Sequence, residues 1–340
     1  MIRRRAIVLV SLAFALGCKK PAPAVETKAI ATAAPPPAPT IPPFAAPAAL
    51  PPGDVWLLGT DGTVRIEATG AIKRDAQNFV AIAQANDGTL FASSWSTLFR
   101  RDAKGWTKTL GYGDKTRSAL ITAKHVELAM TRAVTGGAVV NVLGDELWAG
   151  KIEAAGVMVG TDYKLSPRAL DGQGQEWGGG LTDDKLYLAN PAGPGAETMV
   201  VASWAPSSIV ALAGRRTGGV YVLGHEALYV GGGDKEATKS FRLPLKIDKG
   251  TLAASPNGTV VIRTDGSTLL FISPDGGCKT LAQASGEVFA VDGRSRVWTY
   301  VGNELKVISA DGVVGTQKVS ATMPKTLVAI LPIAGGADLK

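Results

Sequence analysis

Two histidines, His125 and His225, are all the imidazole the chain has, which excludes the polyhistidine metal sites that need several such rings. No H-E-x-x-H, G-x-S-x-G or Walker A pattern occurs, and no twelve-residue calcium loop. The glycine run DGQGQEWGGG at Asp171–Gly180 has no helical pattern after it to present amides to a phosphate, so it reads as turn glycine. No catalytic residue, metal ligand or cofactor is therefore assigned. The polar residues that remain as candidates stand at breaks between apolar runs: Asp61, Trp95, Asp145, Asp183, Asp184, His225, Asp265 and Asn303. Placed together on one surface, the carboxylates would attract a cation or a basic partner. Aspartate is also simply a good turn former, and His225 with Glu226 reads the same way. Trp95, in SSWST, is a contact candidate, whereas Trp56, Trp148 and Trp298 lie in apolar runs that predict packing.

The breaks themselves are regular. From Gly53 onward, short alternating apolar runs are separated by Asp61-Gly62, Asp87-Gly88, Asn257-Gly258, Asp265-Gly266, Asp275-Gly276, Asp292-Gly293 and Asp311-Gly312. Asx-Gly supplies positive φ for tight turns, so the spacing predicts antiparallel hairpins. GEVFAVDGRSRVWTYVGNELKVISADGVVGTQKV divides into four such runs, here strands a to d, and the scheme repeats to give six complete units. An incomplete seventh, DVWLLG, TVRIEA and a short run near Ile72, stands first without an a strand. At the far end, KTLVAILP is an a strand with no b. Joining the two yields an all-β fold, a seven-bladed β-propeller with about 41 residues per blade, six or eight blades being the alternatives. In each meander, b–c hairpins and d–a crossovers share one end of the sheet, and a–b and c–d turns the other. The candidates above all fall in b–c hairpins. The two longest d–a connections are predicted at Gly111–His125 and about Asp162–Gln173.

Ahead of this domain (53–340) stand two segments of other character. Residues 1–17 combine Arg3, Arg4 and Arg5, an apolar stretch Ala6–Leu16 and the small Gly17. Eleven apolar residues at ~1.5 Å each are too short for a ~30 Å hydrocarbon core, so the stretch is an export signal rather than a span. Residues 18–52 hold 11 prolines and 11 alanines between Pro21 and Pro52, a polyproline II-prone tether. Only Cys278 joins Cys18, so the domain has no internal disulfide. No basic stripe interleaved with aromatics occurs, which excludes nucleic acid as partner.

FALGC, ending at Cys18, resembles the lipobox of bacterial lipoproteins, in which the cysteine receives a diacylglycerol and becomes the mature N-terminus. DVWLLGTDGTVRIE and VFAVDGRSRVWTYVGNELKVIS resemble the NHL and two-component-regulator types of β-propeller. The first resemblance implies a lipid-anchored protein of the bacterial cell envelope, and the second implies a fold rather than a reaction. With the long spacer and the absence of a recognisable reactive cluster, the expected role is a non-catalytic binding module for protein or glycan partners. An extracytoplasmic propeller enzyme, a lyase or hydrolase, and a small-ligand sensor are the alternatives.

Overall fold

The computed structural model describes residues 41–79, 81–84, 90–93, 97–111, 127–134, 137–143, 147–153, 156–158, 162–163, 165–171, 176–180, 185–189, 200–202, 204–232, 239–282, 285–318, 324, 326–333 and 335–339. Every regular element among them is a strand. The signal, Cys18 and the first part of the tether lie outside them.

Short alternating runs closed by turn residues form the expected antiparallel meanders. Six sheets follow one another along the chain, their strands lying within 81–111 (sheet 1), 127–163 (sheet 2), 165–202 (sheet 3), 211–242 (sheet 4), 250–282 (sheet 5) and 289–318 (sheet 6). Each is an a-b-c-d meander, and sheet 2 carries an extra short strand, Asp162–Tyr163, against its c strand. A further sheet, here the terminal sheet, takes its a strand, Leu327–Pro332, from the far end of the chain. That strand pairs antiparallel with Val55–Gly59, which leads on to Gly62–Ile66 and Ile72–Arg74. Leu57 faces Ile330 and Leu58 faces Ala329 across this join. The fold is an all-β array of propeller type.

The sheets stack face to face through their apolar rows. Trp298, Leu305 and Val307 of sheet 6 pack on Val55, Leu57 and Val64 of the terminal sheet. Trp56 and Leu58, on the other face of that strand, pack on Phe79, Leu90 and Ala92 at sheet 1. Alternation in one strand thus serves two interfaces, so this b strand is fully buried on both sides. The a strands touch in succession from sheet 1 to sheet 6, and the terminal a strand touches those of sheets 6 and 1.

Two expectations need correction. The stretch about Asp162–Gln173 is no long connection: Leu165–Leu170 is the a strand of sheet 3, because its apolar residues are taken up in pairing with Glu176–Gly180. Positive φ does occur at Gly258, Gly276 and Gly312, but at Asp265-Gly266 and Asp292-Gly293 it falls on Ser267 and Ser295, each with φ 62°. In the first, Ser267 N–H bonds Thr264 O, a turn that sets the left-handed residue one place later. The connection at Gly111–His125 lies outside the described residues apart from Gly111 itself.

The compact unit also begins earlier than composition implies, at Ile41. Residues 41–54 form a strap across the a–b and c–d turns. Cys278 N–H donates to Pro42 O (2.8 Å) at the c–d turn of sheet 5, and Phe44 meets Phe271 edge-on. Leu50 N–H donates to Gly293 O at the a–b turn of sheet 6, and Gly335 N–H to Pro51 O. Proline lacks a donor but keeps its carbonyl, so a proline-rich strand can still be bound as an acceptor.

Candidate functional site

Antiparallel order places the b–c hairpins and d–a connections at the end of the sheets opposite the strap. On that face, side chains near the ends of the b and c strands are bonded to the incoming d–a connections. Thr63 Oγ1 accepts from Phe79 N–H (3.1 Å), and Thr299 Oγ1 accepts from Gly286 N–H (2.8 Å). Arg263 Nε donates to Ser285 Oγ (3.0 Å). These bonds hold the loops on a rigid frame, the arrangement in which binding residues are commonly presented.

The candidates behave differently on this frame. Asp265 and Asn303 sit exposed at the tips of the b–c hairpins of sheets 5 and 6. Asp61, half-buried at the hairpin of the terminal sheet, uses its carbonyl to accept from Arg74 Nη2 (2.6 Å). His225 has both ring nitrogens engaged. Nδ1 lies 2.8 Å from Ile247 O, Nε2 lies 3.1 Å from Ser208 Oγ, and Asp248 Oδ1 stands 3.6 Å from Nδ1. The neutral tautomer with hydrogen on Nδ1 satisfies both bonds, Nε2 accepting from the serine hydroxyl. His225 therefore ties the b–c hairpin of sheet 4 to the connections on either side of it, a positioning role. Trp95, Asp145, Asp183 and Asp184 lie outside the described residues, although the strands flanking each are the b and c strands expected. Among the described residues, no three His, Cys, Asp or Glu side chains gather as a metal-holding group.

The opposite face holds what sequence reasoning passed over. Asp292, read as a turn former, is fully buried. Its Oδ2 accepts from Trp298 Nε1 (2.8 Å) and Arg296 Nε (2.9 Å), and its Oδ1 from the backbone N–H groups of Arg294 and Arg296. Arg296 in turn donates to Gly335 O and Ala337 O, fastening the C-terminal residues over sheet 6. Asp171 repeats the device, accepting from Trp177 Nε1 (3.1 Å) and from Gly219 N–H (2.7 Å) of the next sheet's a–b turn. The signal was present as spacing: Asp171 to Trp177 and Asp292 to Trp298 are the same six positions apart. Half-buried Cys278 closes this face beside the strap, and burial pushes its thiol up to about 11.

No family model matches the chain, and no curated protein does. Among solved structures it is similar to a streptogramin B lyase (12% identity, 71% of this chain and 83% of that one, TM-score 0.44). It is also similar to virginiamycin B lyase from Staphylococcus aureus (10% identity, 78% and 92%, TM-score 0.46). PorZ, a surface component of the type-IX secretion system of Porphyromonas gingivalis, gives 12% identity over 87% of this chain and 39% of that one, TM-score 0.47. These are β-propeller-like proteins. At such distances the likeness concerns the course of the chain, and the architecture above rests on the strand pairing itself.

Proposed function

We propose that this chain is a lipid-anchored cell-envelope protein. In this reading its sheets are the seven blades of a closed propeller, and its b–c/d–a face binds a protein or glycan partner without chemistry. Residues 1–17 are removed on export, Cys18 carries the acyl chains, and residues 19–40 are the tether. At ~3.1 Å per residue this tether reaches about 70 Å if it is extended as polyproline II. More than one acyl chain makes such an anchor firm, since a single chain binds only marginally.

One observation carries the reading: the strap delivers the chain to the a–b/c–d turns. Pro42, Phe44, Leu50 and Pro51 are all engaged there, so the compact unit begins on the face opposite the b–c hairpins. The b–c hairpins with Asp265 and Asn303 are at the end the strap does not cover, braced by the side-chain bonds described above.

Two measurements test it. Cys18→Ala should move the protein from the membrane to the soluble fraction. A photocrosslinking residue at Asp265 or Asn303 should yield adducts in cells, whereas one at exposed Asp311, on the strap side, should not. Protease or glycosidase sensitivity of the adduct separates protein from glycan. Adducts formed only at Asp311, or membrane association unchanged by Cys18→Ala, would overturn the reading.

A further inference from the structure

Between sheet 1 and the terminal sheet a groove of about 320 Å³ is lined by Arg65, Lys73, Arg74 and Arg101, with Asp75, Gln77 and Trp106. Four cations meet there, and the neighbouring carboxylates are already committed. Glu67 Oε1 accepts from Arg65 Nη2 (2.9 Å) and Lys73 Nζ (2.6 Å), and the Lys73 bond, with the charges of Lys73 and Arg65, holds its carboxyl below the usual range. Asp54 faces Arg65 at 3.5 Å and accepts from Ala68 N–H. Asp75 accepts from Trp106 Nε1 (3.1 Å) and from Gln77 N–H (3.2 Å).

Arg101 is the exception. Half-buried, it lies over the rings of Trp56 (5.0 Å) and Trp106 (6.0 Å), and forms no hydrogen bond or ion pair among the described residues. Arg65 covers the same Trp56 ring at 5.7 Å, so two guanidiniums flank one indole whose own Nε1–H is buried without a partner. Desolvation, and then the like charge of Arg65, lower the pKa of Arg101 from its ordinary value, while Asp54, Asp75 and Glu67 act on it only through space. A planar five-donor group held on aromatic faces, unpaired and short of water, is preorganised for an oxyanion. Another cleft, about 290 Å³ between sheets 4 and 5, differs in that Lys239 Nζ already donates to Pro274 O, and its Arg215 lies over the single ring of Tyr221 at 5.9 Å.

We propose that the groove between sheet 1 and the terminal sheet binds an oxyanion, a phosphate or carboxylate borne by a small or sugar-like ligand, with Arg101 as its principal donor and Arg65, Lys73 and Arg74 supplying the field. This site belongs to the rim between two sheets. Its Asp75–Gln77 edge is the d–a connection into sheet 1, while Arg65 and Arg101 lie on the c strands of the two sheets, and oxyanion binding is tested apart from the role given to the b–c hairpins.

The test is calorimetric titration and thermal shift of the full chain with inorganic phosphate, glucose 6-phosphate and glucuronate at constant ionic strength, with sodium chloride as reference. Saturable binding of at least one oxyanion is expected. Arg101→Gln should weaken it tenfold or more, Arg101→Lys should restore part of it, and Lys239→Gln should leave it unchanged. Preference for glucose 6-phosphate identifies a phosphate ligand, and preference for glucuronate a carboxylate. No binding beyond the chloride reference, or equal affinity in Arg101→Gln and the wild type, would overturn the proposal. So would an equal loss in Lys239→Gln.

Discussion

Replacing Asp292 by Asn removes one charge and almost no volume, yet four donors converge on that carboxylate. With the amide oxygen kept toward the Arg294 and Arg296 backbone N–H groups, the new NH₂ points at the Trp298 Nε1–H and the Arg296 guanidinium, donor against donor. The flipped amide merely transfers the conflict to the turn. A buried donor left unmatched costs about 1–3 kcal/mol. Removing one partner of a buried ion pair costs about 3–5 kcal/mol, and these two terms overlap. Arg296 and Asp292 have side-chain exposures of only 14% and 0%, so solvent screens little of this. Asp292→Asn should thus destabilise by roughly 4 kcal/mol, and Asp292→Ala by roughly 5. The control is exposed Asp275, which accepts from the Ser273 hydroxyl and the Gly277 N–H; its Asn variant should shift the unfolding midpoint far less. Guanidinium denaturation reads the difference as a shifted midpoint at constant slope. Hydrogen exchange at Ala337 and Asp338 should rise in parallel, since Arg296 holds the carbonyls beside them. If Asp292→Asn unfolds within 1 kcal/mol of the wild type, or no more easily than Asp275→Asn, the indole–carboxylate anchor is not what secures this turn.

Other perturbations probe the closure, the strap and the thiol. Cysteines at Leu58 and Ala329, which face each other across the terminal join, should form a disulfide. Oxidised against reduced, that variant should gain up to about 5 kcal/mol on chain-entropy grounds, and failure to oxidise would count against the pairing. Phe44→Ala should cost about 1–2 kcal/mol through lost burial and the edge contact with Phe271, and an unchanged denaturation midpoint would mean that the strap is not bound. Because burial lifts the Cys278 thiol to about 11 from an ordinary 9.0, the unfolded chain ionises first. Stability from this group is therefore complete below pH 9 and lost as pH rises through 11. Alkylation of Cys278 should be slow at neutral pH and should accelerate in Phe44→Ala; rapid labelling of the wild type would contradict the burial. Gly336→Ala, at φ 68° with its Cβ 2.7 Å from Asp292 Oδ2, should lower the melting temperature and loosen the C-terminal residues.

The architecture was legible because its determinants are local. Alternating runs and Asx-Gly pairs lie within ten residues of one another, and the orphan strands at the two ends can be matched by noticing that each lacks what the other offers. Roles at the turns were not legible, for a physical reason visible in two residues. Asp265 and Asp292 are both Asp-Gly turn positions followed by a left-handed serine, yet one is exposed and the other fully buried. What separates them is Trp298 six positions on and a C-terminal segment more than forty residues away, which roofs one turn and not the other. The same holds for the strap, whose composition says only that its prolines cannot donate hydrogen bonds. That it accepts them depends on Cys278 and Gly335, at the far end of the chain. Arg101 is the extreme case, since its interest lies in the prior commitment of Glu67, Asp54 and Asp75 to other donors. Repetition thus decides where turns fall, while contacts between distant parts of the chain decide which turn is a cap, which is a clasp and which is left free to meet a ligand. In a protein built from repeats, the positions where one unit departs from its siblings are therefore where function should be sought, and Arg101, the strap and the fastened C-terminal residues are such departures.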